Sequence, residues 1–242
     1  MASSSPHALQ RLIGMVRSPR ATLTTAVKNP RSLDLALLIV AIAAASSAGF
    51  LLTHVGQLAA LDQQVRQLES FGATIDDATY EELRRVVPYR PLISAAVILI
   101  GWPIFWQVSA RILWWLGNPG SGTDGQPARS QATFAQVLTV VVHASSILAI
   151  RALVALPINY SRESLGGATS LRMVMPAFGE SSFPGRLLGA VDIFVVWWVV
   201  LIAMGLGILY QKRTLPIARW LFGAYAGGAA ALALTQALRG GL

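Results

Sequence analysis

The sequence predicts an all-α polytopic membrane protein, a bundle of five transmembrane helices with an extracytoplasmic helical hairpin. Of its 242 residues, 54% are hydrophobic and only 12% are charged, whereas about a quarter of the residues of a soluble domain carry a charge. The apolar residues are gathered into five blocks of about twenty residues or more, the length at which a helix crosses a bilayer. Polar, charged or Gly- and Pro-rich segments separate the blocks.

Residues 1–33 precede the first apolar block and predict a cytoplasmic tail. Apolar side chains recur there at helical spacing, at Leu9, Leu12, Ile13 and Val16, with arginines beside or opposite them. A short amphipathic helix of this kind lies in the headgroup layer of a membrane. We expect it to orient the protein.

Residues 34–242 predict a membrane domain whose spans are residues 35–52, 92–116, 134–156, 187–210 and 215–238. The stretch AAASSAG in the first span imitates a signal-peptide cleavage site, but the apolar block is longer than that of a signal peptide, so we expect a retained helix. The second span contains GWP, whose proline should kink the helix. A linker, GNPGSGTDGQP at 117–127, separates the second and third spans.

Basic residues beside the first span predict its direction. Arg17, Arg20, Lys28 and Arg31 precede it, and only Arg66 follows within about twenty residues. Because cytoplasmic flanks carry the excess of Lys and Arg, we expect a cytoplasmic N-terminus. Five spans then leave the C-terminus on the extracytoplasmic side.

The connection at 53–91 predicts two helices. Leu58, Leu61, Val65 and Leu68 recur at spacings typical of one helical face. The stretch TYEE at 79–82 resembles a capping box that opens a second helix. We expect an extracytoplasmic helical hairpin that caps the bundle, or alternatively binds a partner.

Small residues at every fourth position predict close helix packing. Ala41, Ala45 and Gly49 follow this spacing in the first span, and Gly223 and Gly227 form a GxxxG pair in the fifth. Small residues let helix backbones approach closely in lipid. Ala203 and Gly207 repeat the spacing in the fourth span, and Ala231 extends it in the fifth. We expect packing within the bundle, with dimerisation as the alternative.

Polar residues inside the spans predict a buried cluster. On a helical wheel, Thr139 and Ser146 lie near His143, which gives the third span a polar stripe that should face protein or water. Arg151 lies roughly 26 Å along this span, and Asp192 lies roughly 8 Å into the fourth span from the same outer side. We therefore expect these two opposite charges to pair.

Three basic residues predict contact with lipid headgroups. Arg219 lies about one turn into the fifth span and can extend its charge outward. Lys212 and Arg213 in the preceding turn complete a basic collar that fits anionic headgroups.

The sequence argues against several classes of function. It has no cysteine, which excludes disulfides and thiolate chemistry, and His7, His54 and His143 do not have metal-ligand spacing. The net charge is +8, but the basic residues do not form a stripe interleaved with aromatic residues. We therefore expect no nucleic-acid partner. A serine follows His143 closely, but no paired nucleophile and base or oxyanion-hole motif is evident. We expect no enzyme, cofactor or metal.

Three stretches resemble bacterial Yip1-domain proteins. RLIGMVRSPRATLTTAVKNPRS at 11–32 is similar to the family's opening, and ATFAQVLTVVVHASSILAIRALV at 132–154 is similar to its third span. LLGAVDIFVVWWVVLIAMGLGILYQKRT at 187–214 resembles its best-marked region, which has an acidic residue, an aromatic residue and small residues before a basic turn. Here these are Asp192, Phe194, Trp197 or Trp198, and Gly205 with Gly207.

The resemblance implies five spans, a cytoplasmic N-terminus and the bacterial inner membrane, and it supplies no defined chemistry. The predicted function is therefore a non-enzymatic membrane scaffold or an accessory subunit of a membrane complex, and the expected partners are membrane lipids and, in the second case, another membrane protein. The alternative is a small transporter or permease-like component that uses the polar residues of spans three and four. A coupled transporter usually has several midplane acids or matched broken helices, which this sequence lacks. The sequence leaves the oligomeric state open.

Overall fold

The computed structural model describes residues 7–70, 72–118, 132–174 and 183–239. Within these ranges the chain is helical and forms no strand; the only β-type pairing there is an isolated bridge between Ser170 and Asp192. The helices are α1 Ala8–Arg17, α2 Pro19–Lys28, α3 Leu33–Leu51, α4 His54–Ser70, α5 Asp77–Val86, α6 Arg90–Gly117, α7 Phe134–Ala144, α8 Ser146–Ser161, α9 Leu171–Val174, α10 Phe183–Ala190, α11 Ile193–Leu209 and α12 Thr214–Arg239.

Three helical stretches among the described residues are long and apolar enough to cross a membrane. They are Leu33–Leu51, Asp77–Gly117 and Phe134–Ser161. They contain the first three predicted spans almost entirely. Ile193–Leu209 is apolar but shorter, so the fourth and fifth spans stay predictions.

The Cα positions form two compact units. The first contains the described residues within Met1–Ala41, Leu99–Ile150 and Trp197–Phe222, and the second contains those within Ile42–Ile98, Arg151–Val196 and Gly223–Leu242.

In the first unit, the N-terminal segment is packed as two helices. Both α1 and α2 contact α7, and the Gln136 side chain donates a hydrogen bond to the Val27 carbonyl over 3.2 Å. The predicted amphipathic face is divided, because Leu12 is buried together with Met15, whereas the other three apolar residues of that face are exposed. Helix α2 was not expected from the sequence. It begins with Pro19 at its first turn, where the missing N–H costs nothing.

The third predicted span is interrupted at Ser145, between α7 and α8. Helix α7 begins at a capping box in which Thr133 and Gln136 bond each other's backbone N–H groups. Helix α6, which contains the second predicted span, continues through Pro103. Residues 119–127 of the predicted linker lie outside the described residues.

In the second unit, α3 turns sharply into α4. Gly56 permits the turn, because a Cβ atom there would overlap the Phe50 carbonyl oxygen. Phe50 and Leu51 pack with Ala59 and Ala60 in a small apolar core.

Residues 53–91 contain α4, α5 and a 3₁₀ turn at Val87–Tyr89. The predicted cap of the second helix is wrong. Asp76 caps α5, and its carboxylate accepts a hydrogen bond from the Thr79 N–H over 2.9 Å. The side of a membrane on which these helices lie stays a prediction.

The small residues at every fourth position of the first and fifth predicted spans are exposed, although the sequence predicted that they pack within the bundle. Ala41, Ala45, Gly49, Gly223 and Gly227 are all exposed. A Cβ atom added at any of these three glycines would meet nothing within 4 Å. Close approach occurs at Gly205 instead, where an added Cβ atom would overlap the Val140 side chain. Both α11 residues at the predicted spacing, Ala203 and Gly207, are buried.

Candidate functional site

The first unit contains a fully buried histidine. His143 has no exposed surface, and its Nδ1 atom lies 2.8 Å from the Thr139 carbonyl oxygen. Its Nε2 atom has no hydrogen-bond partner among the described residues. Ser146, three residues further along, is also fully buried, and its hydroxyl lacks a partner there as well. The predicted stripe of Thr139, His143 and Ser146 therefore lies within protein.

Ser145 is the polar residue that organises this region, and the sequence analysis did not single it out. Its hydroxyl donates to the Val141 carbonyl over 2.8 Å. It accepts hydrogen bonds from two indole N–H groups, of Trp106 over 3.0 Å and of Trp198 over 3.3 Å. One hydroxyl thus connects α6, α7 and α11. The presence of two tryptophans in apolar helices could have pointed to Ser145 from the sequence, because a buried indole N–H requires an acceptor.

An ion pair joins Arg11 of α1 to Asp34 at the start of α3. Arg11 also donates to the Arg31 carbonyl over 2.7 Å. This pair was not predicted from the sequence, because Asp34 lies at the edge of an apolar block, where an acidic residue is typical of a helix N-terminus.

The second unit contains the predicted pair of Arg151 and Asp192. The Arg151 Nε atom lies 2.7 Å from Asp192 Oδ2. The same Nε–H group donates to the Thr169 hydroxyl over 3.0 Å, and that hydroxyl donates to Asp192 Oδ2. The prediction of a pair is confirmed, and Thr169 is a third member that the sequence analysis did not identify.

The structure places Asp192 at a helix break and not within one continuous helix, as the predicted fourth span implied. Helix α10 ends at Ala190 and α11 begins at Ile193, so Asp192 lies in the break between them. Its Oδ1 atom accepts hydrogen bonds from the backbone N–H groups of Phe194, over 2.9 Å, and Val195, over 3.3 Å. Asp192 is the N-cap of α11, where a carboxylate satisfies otherwise unpaired N–H groups.

A tyrosine holds the break in place. The Tyr225 hydroxyl donates to the Ala190 carbonyl over 2.8 Å and accepts from the Asp192 N–H over 3.3 Å. The backbone of Thr169 and Leu171 pairs with that of Ile193 and Val191. Asp192 is consequently 8% exposed even though it lies outside a regular helix.

The predicted cluster therefore divides between the two units. Thr139, His143 and Ser146 belong to the first, and Arg151 and Asp192 belong to the second. The predicted headgroup contacts, Lys212, Arg213 and Arg219, are exposed. None of the three takes part in an ion pair between described residues.

The chemistry available to these groups is mainly that of hydrogen bonding. Ser145 is held by two indoles and a carbonyl, so its hydroxyl is not presented to a substrate. Among the described ranges, no three His, Cys, Asp or Glu side chains are grouped to hold a metal ion. Within the polar stripe, His143 Nε2 and Ser146 Oγ are buried without a hydrogen-bond partner among the described residues, and an additional small molecule could satisfy them.

The fold defines an all-helical protein with apolar helices that are long enough to cross a membrane. No protein-family model, curated protein or solved structure matches the chain.

Proposed function

We propose that this chain is a non-enzymatic integral membrane protein of the Yip1 type, with five spans in the bacterial inner membrane. Its N-terminus faces the cytoplasm and its C-terminus the extracytoplasmic side. It acts as a membrane scaffold or as an accessory subunit of a membrane complex, and its partners are lipids and another membrane protein.

The observation that carries this proposal is the burial of the polar stripe in the third predicted span, together with the neighbouring Ser145. Thr139 is 1% exposed, and His143, Ser145 and Ser146 are fully buried. A transport pathway requires polar groups that water or a solute can reach. Buried polar groups that connect helices instead stabilise a bundle.

Exposed apolar surface supports a membrane location. Along α6, Leu92, Val97, Ile100 and Trp115 are between 63% and 73% exposed. Exposed apolar surface of this extent indicates contact with lipid or with another protein. At a rise of about 1.5 Å per residue, α12 is also long enough to serve as a fifth span.

The uncovered small-residue faces support a role beside another membrane protein. Gly223 and Gly227 of α12 are exposed with open space around them. In lipid, such positions allow a second helix to approach its neighbour's backbone closely. The chain does not fill this space with its own described residues, so a partner helix is the natural occupant in the proposed complex.

One observation favours the second candidate, a small transporter or permease-like component. His143 Nε2 and Ser146 Oγ are buried without a partner in the described part of the chain, and unpaired polar atoms of this kind are costly. A pathway that opened to them during transport would give them partners in another conformation.

Purification in a mild detergent, followed by mass spectrometry of co-purifying proteins and lipids, tests the proposal. We expect a stoichiometric membrane-protein partner. The Gly223→Leu/Gly227→Leu variant should lose it, whereas Gly228→Leu, on another face of α12 and also surrounded by open space, should retain it. A monomer that carries only a bound small solute would overturn the proposal and favour transport.

A further inference from the structure

The second unit contains a cavity of about 420 Å³ that combines one positive charge with neutral amides. Arg90, Gln63 and Gln64 line it on the polar side, and Leu68 and Leu165 line it on the apolar side. Its volume lies within the range of small-molecule sites. The polar lining comes from α4 and the first residue of α6.

The Arg90 guanidinium in this cavity has no counter-ion among the described residues. One of its terminal nitrogens donates to the Ala60 carbonyl over 3.0 Å, while its Nε atom is buried without a partner in the part of the chain that the structure describes. Arg90 takes part in none of the ion pairs formed within the described ranges. Arg90 is half-buried, and an oxyanion beside it would supply both an acceptor for the buried N–H group and an opposite charge.

We propose that this cavity binds a phosphate group. A guanidinium matches oxyanions geometrically and donates several hydrogen bonds to them at once. The amides of Gln63 and Gln64 add further donors. Phosphate has more acceptor oxygens than a carboxylate, which suits a site where one guanidinium and neighbouring amides converge.

The apolar lining indicates that the phosphate carries an organic group. Leu68 and Leu165 would contact a glycerol or acyl portion of the ligand. Such a phosphate ester has two sources, a phospholipid headgroup or a soluble phosphate ester. This site is separate from the polar stripe and the small-residue faces, and it does not depend on the proposed scaffold role.

Binding of four probes to the detergent-purified full chain tests the inference. Retention of phosphatidylglycerol is compared with that of diacylglycerol by native mass spectrometry, and binding of glycerol 1-phosphate is compared with that of glycerol by calorimetry. We expect only phosphate-bearing probes to bind. Retention of phosphatidylglycerol alone assigns the headgroup, and binding of glycerol 1-phosphate assigns a soluble ester. Failure of both phosphate probes to bind overturns the proposal.

Two substitutions locate the site. Arg90→Gln should weaken binding about tenfold or more, because a hydrogen bond to a charged group is lost. The matched control is Arg84→Gln on α5, since Arg84 is exposed and pairs with Glu81 outside the cavity lining; it should bind like the wild type. Equal binding by the wild type and Arg90→Gln contradicts the assignment.

If Arg90→Gln does not fold, a second variant tests the same site. Gln63→Leu/Gln64→Leu removes two amides from residues that are exposed or half-buried, so the fold should tolerate it. We expect weaker binding of the phosphate probe. Unchanged affinity in this folded variant overturns the proposed site. Neither result alters the co-purification test of the scaffold role.

Discussion

Arg151 and Asp192 lie 41 residues apart in the chain, yet the Arg151 Nε atom is 2.7 Å from Asp192 Oδ2. The carboxylate uses one oxygen for this ion pair and the other to cap α11. Thr169 bonds both partners. The pair thus fastens the start of α11 to α8, and the position of one acidic residue determines both a helix boundary and a tertiary contact.

A double-mutant cycle tests this coupling. Asp192→Asn keeps a side chain that can cap a helix but removes the charge, so it should lower the free energy of unfolding by about 1–2 kcal/mol. Arg151→Ala should also destabilise. Because both substitutions break the same contact, their effects should be non-additive by about 0.5–3 kcal/mol. Unfolding in mixed micelles measures the cycle, and strictly additive effects would argue against the pair.

Ser145→Ala should destabilise the first unit. The substitution leaves the indole N–H groups of Trp106 and Trp198 without their shared acceptor, at a cost of about 1–3 kcal/mol for a buried unpaired group. The change is measurable by thermal unfolding followed through tryptophan fluorescence. Ser146→Ala is the matched control. Its hydroxyl is buried without a partner among the described residues, so its removal should leave stability unchanged or slightly raised. Equal losses in both variants would refute the role of Ser145.

The Asp76 cap predicts a pH-dependent fraying of α5. Hydrogen bonds from the hydroxyl and the backbone N–H of Thr79 hold the pKa of Asp76 below its ordinary value near 3.8. The depressed pKa means that the cap stabilises α5 above the unfolded-state pKa and is lost as the pH falls through the folded-state pKa. Amide exchange in α5 should therefore accelerate at acid pH.

Substitution of Asp76 by Ala should produce the same fast exchange near neutral pH and remove the acid-dependent change. Asp77→Ala is the control, because Asp76 rather than Asp77 makes the cap hydrogen bond. If Asp77→Ala frays α5 as strongly as Asp76→Ala, the cap is not the cause.

The proposed topology predicts labelling from opposite sides of the membrane. The chain has no cysteine, so single cysteines report cleanly. A cysteine at Lys212 should react with an impermeant maleimide only from the cytoplasm, and a cysteine at Arg66 only from the outside. Both residues are exposed. Labelling of both from the same side would be incompatible with the proposed spans.

The apolar blocks predicted the long helices because a helix that crosses a bilayer needs about twenty consecutive, mostly apolar residues. Helix α3 at Leu33–Leu51 and α6 at Arg90–Gly117 differ from the predicted spans by two residues or fewer at each end. The sequence also predicted the Arg151–Asp192 pair, because depth along two consecutive spans constrains which charges meet.

The breaks at Ser145 and Asp192 could not be predicted in the same way. Each makes hydrogen bonds with groups distant in the chain, namely the indoles of Trp106 and Trp198 at Ser145 and the Tyr225 hydroxyl at Asp192. Spacing alone likewise could not distinguish Gly205, which faces Val140, from Gly223, which faces open space. Small residues at this spacing show where two helices could approach closely, whereas the tertiary fold determines where they do.

The accessibility of residue 143 to water tests the scaffold assignment most directly. A scaffold keeps the polar stripe buried away from water, whereas a transporter must expose it to water or to a solute. His143→Cys, in the naturally cysteine-free chain, is exposed to small water-soluble thiol reagents in membrane vesicles, with the Lys212 and Arg66 cysteine variants as labelling controls. We predict no reaction at position 143 while both controls react. Labelling of position 143 from either side of the membrane would contradict the scaffold assignment.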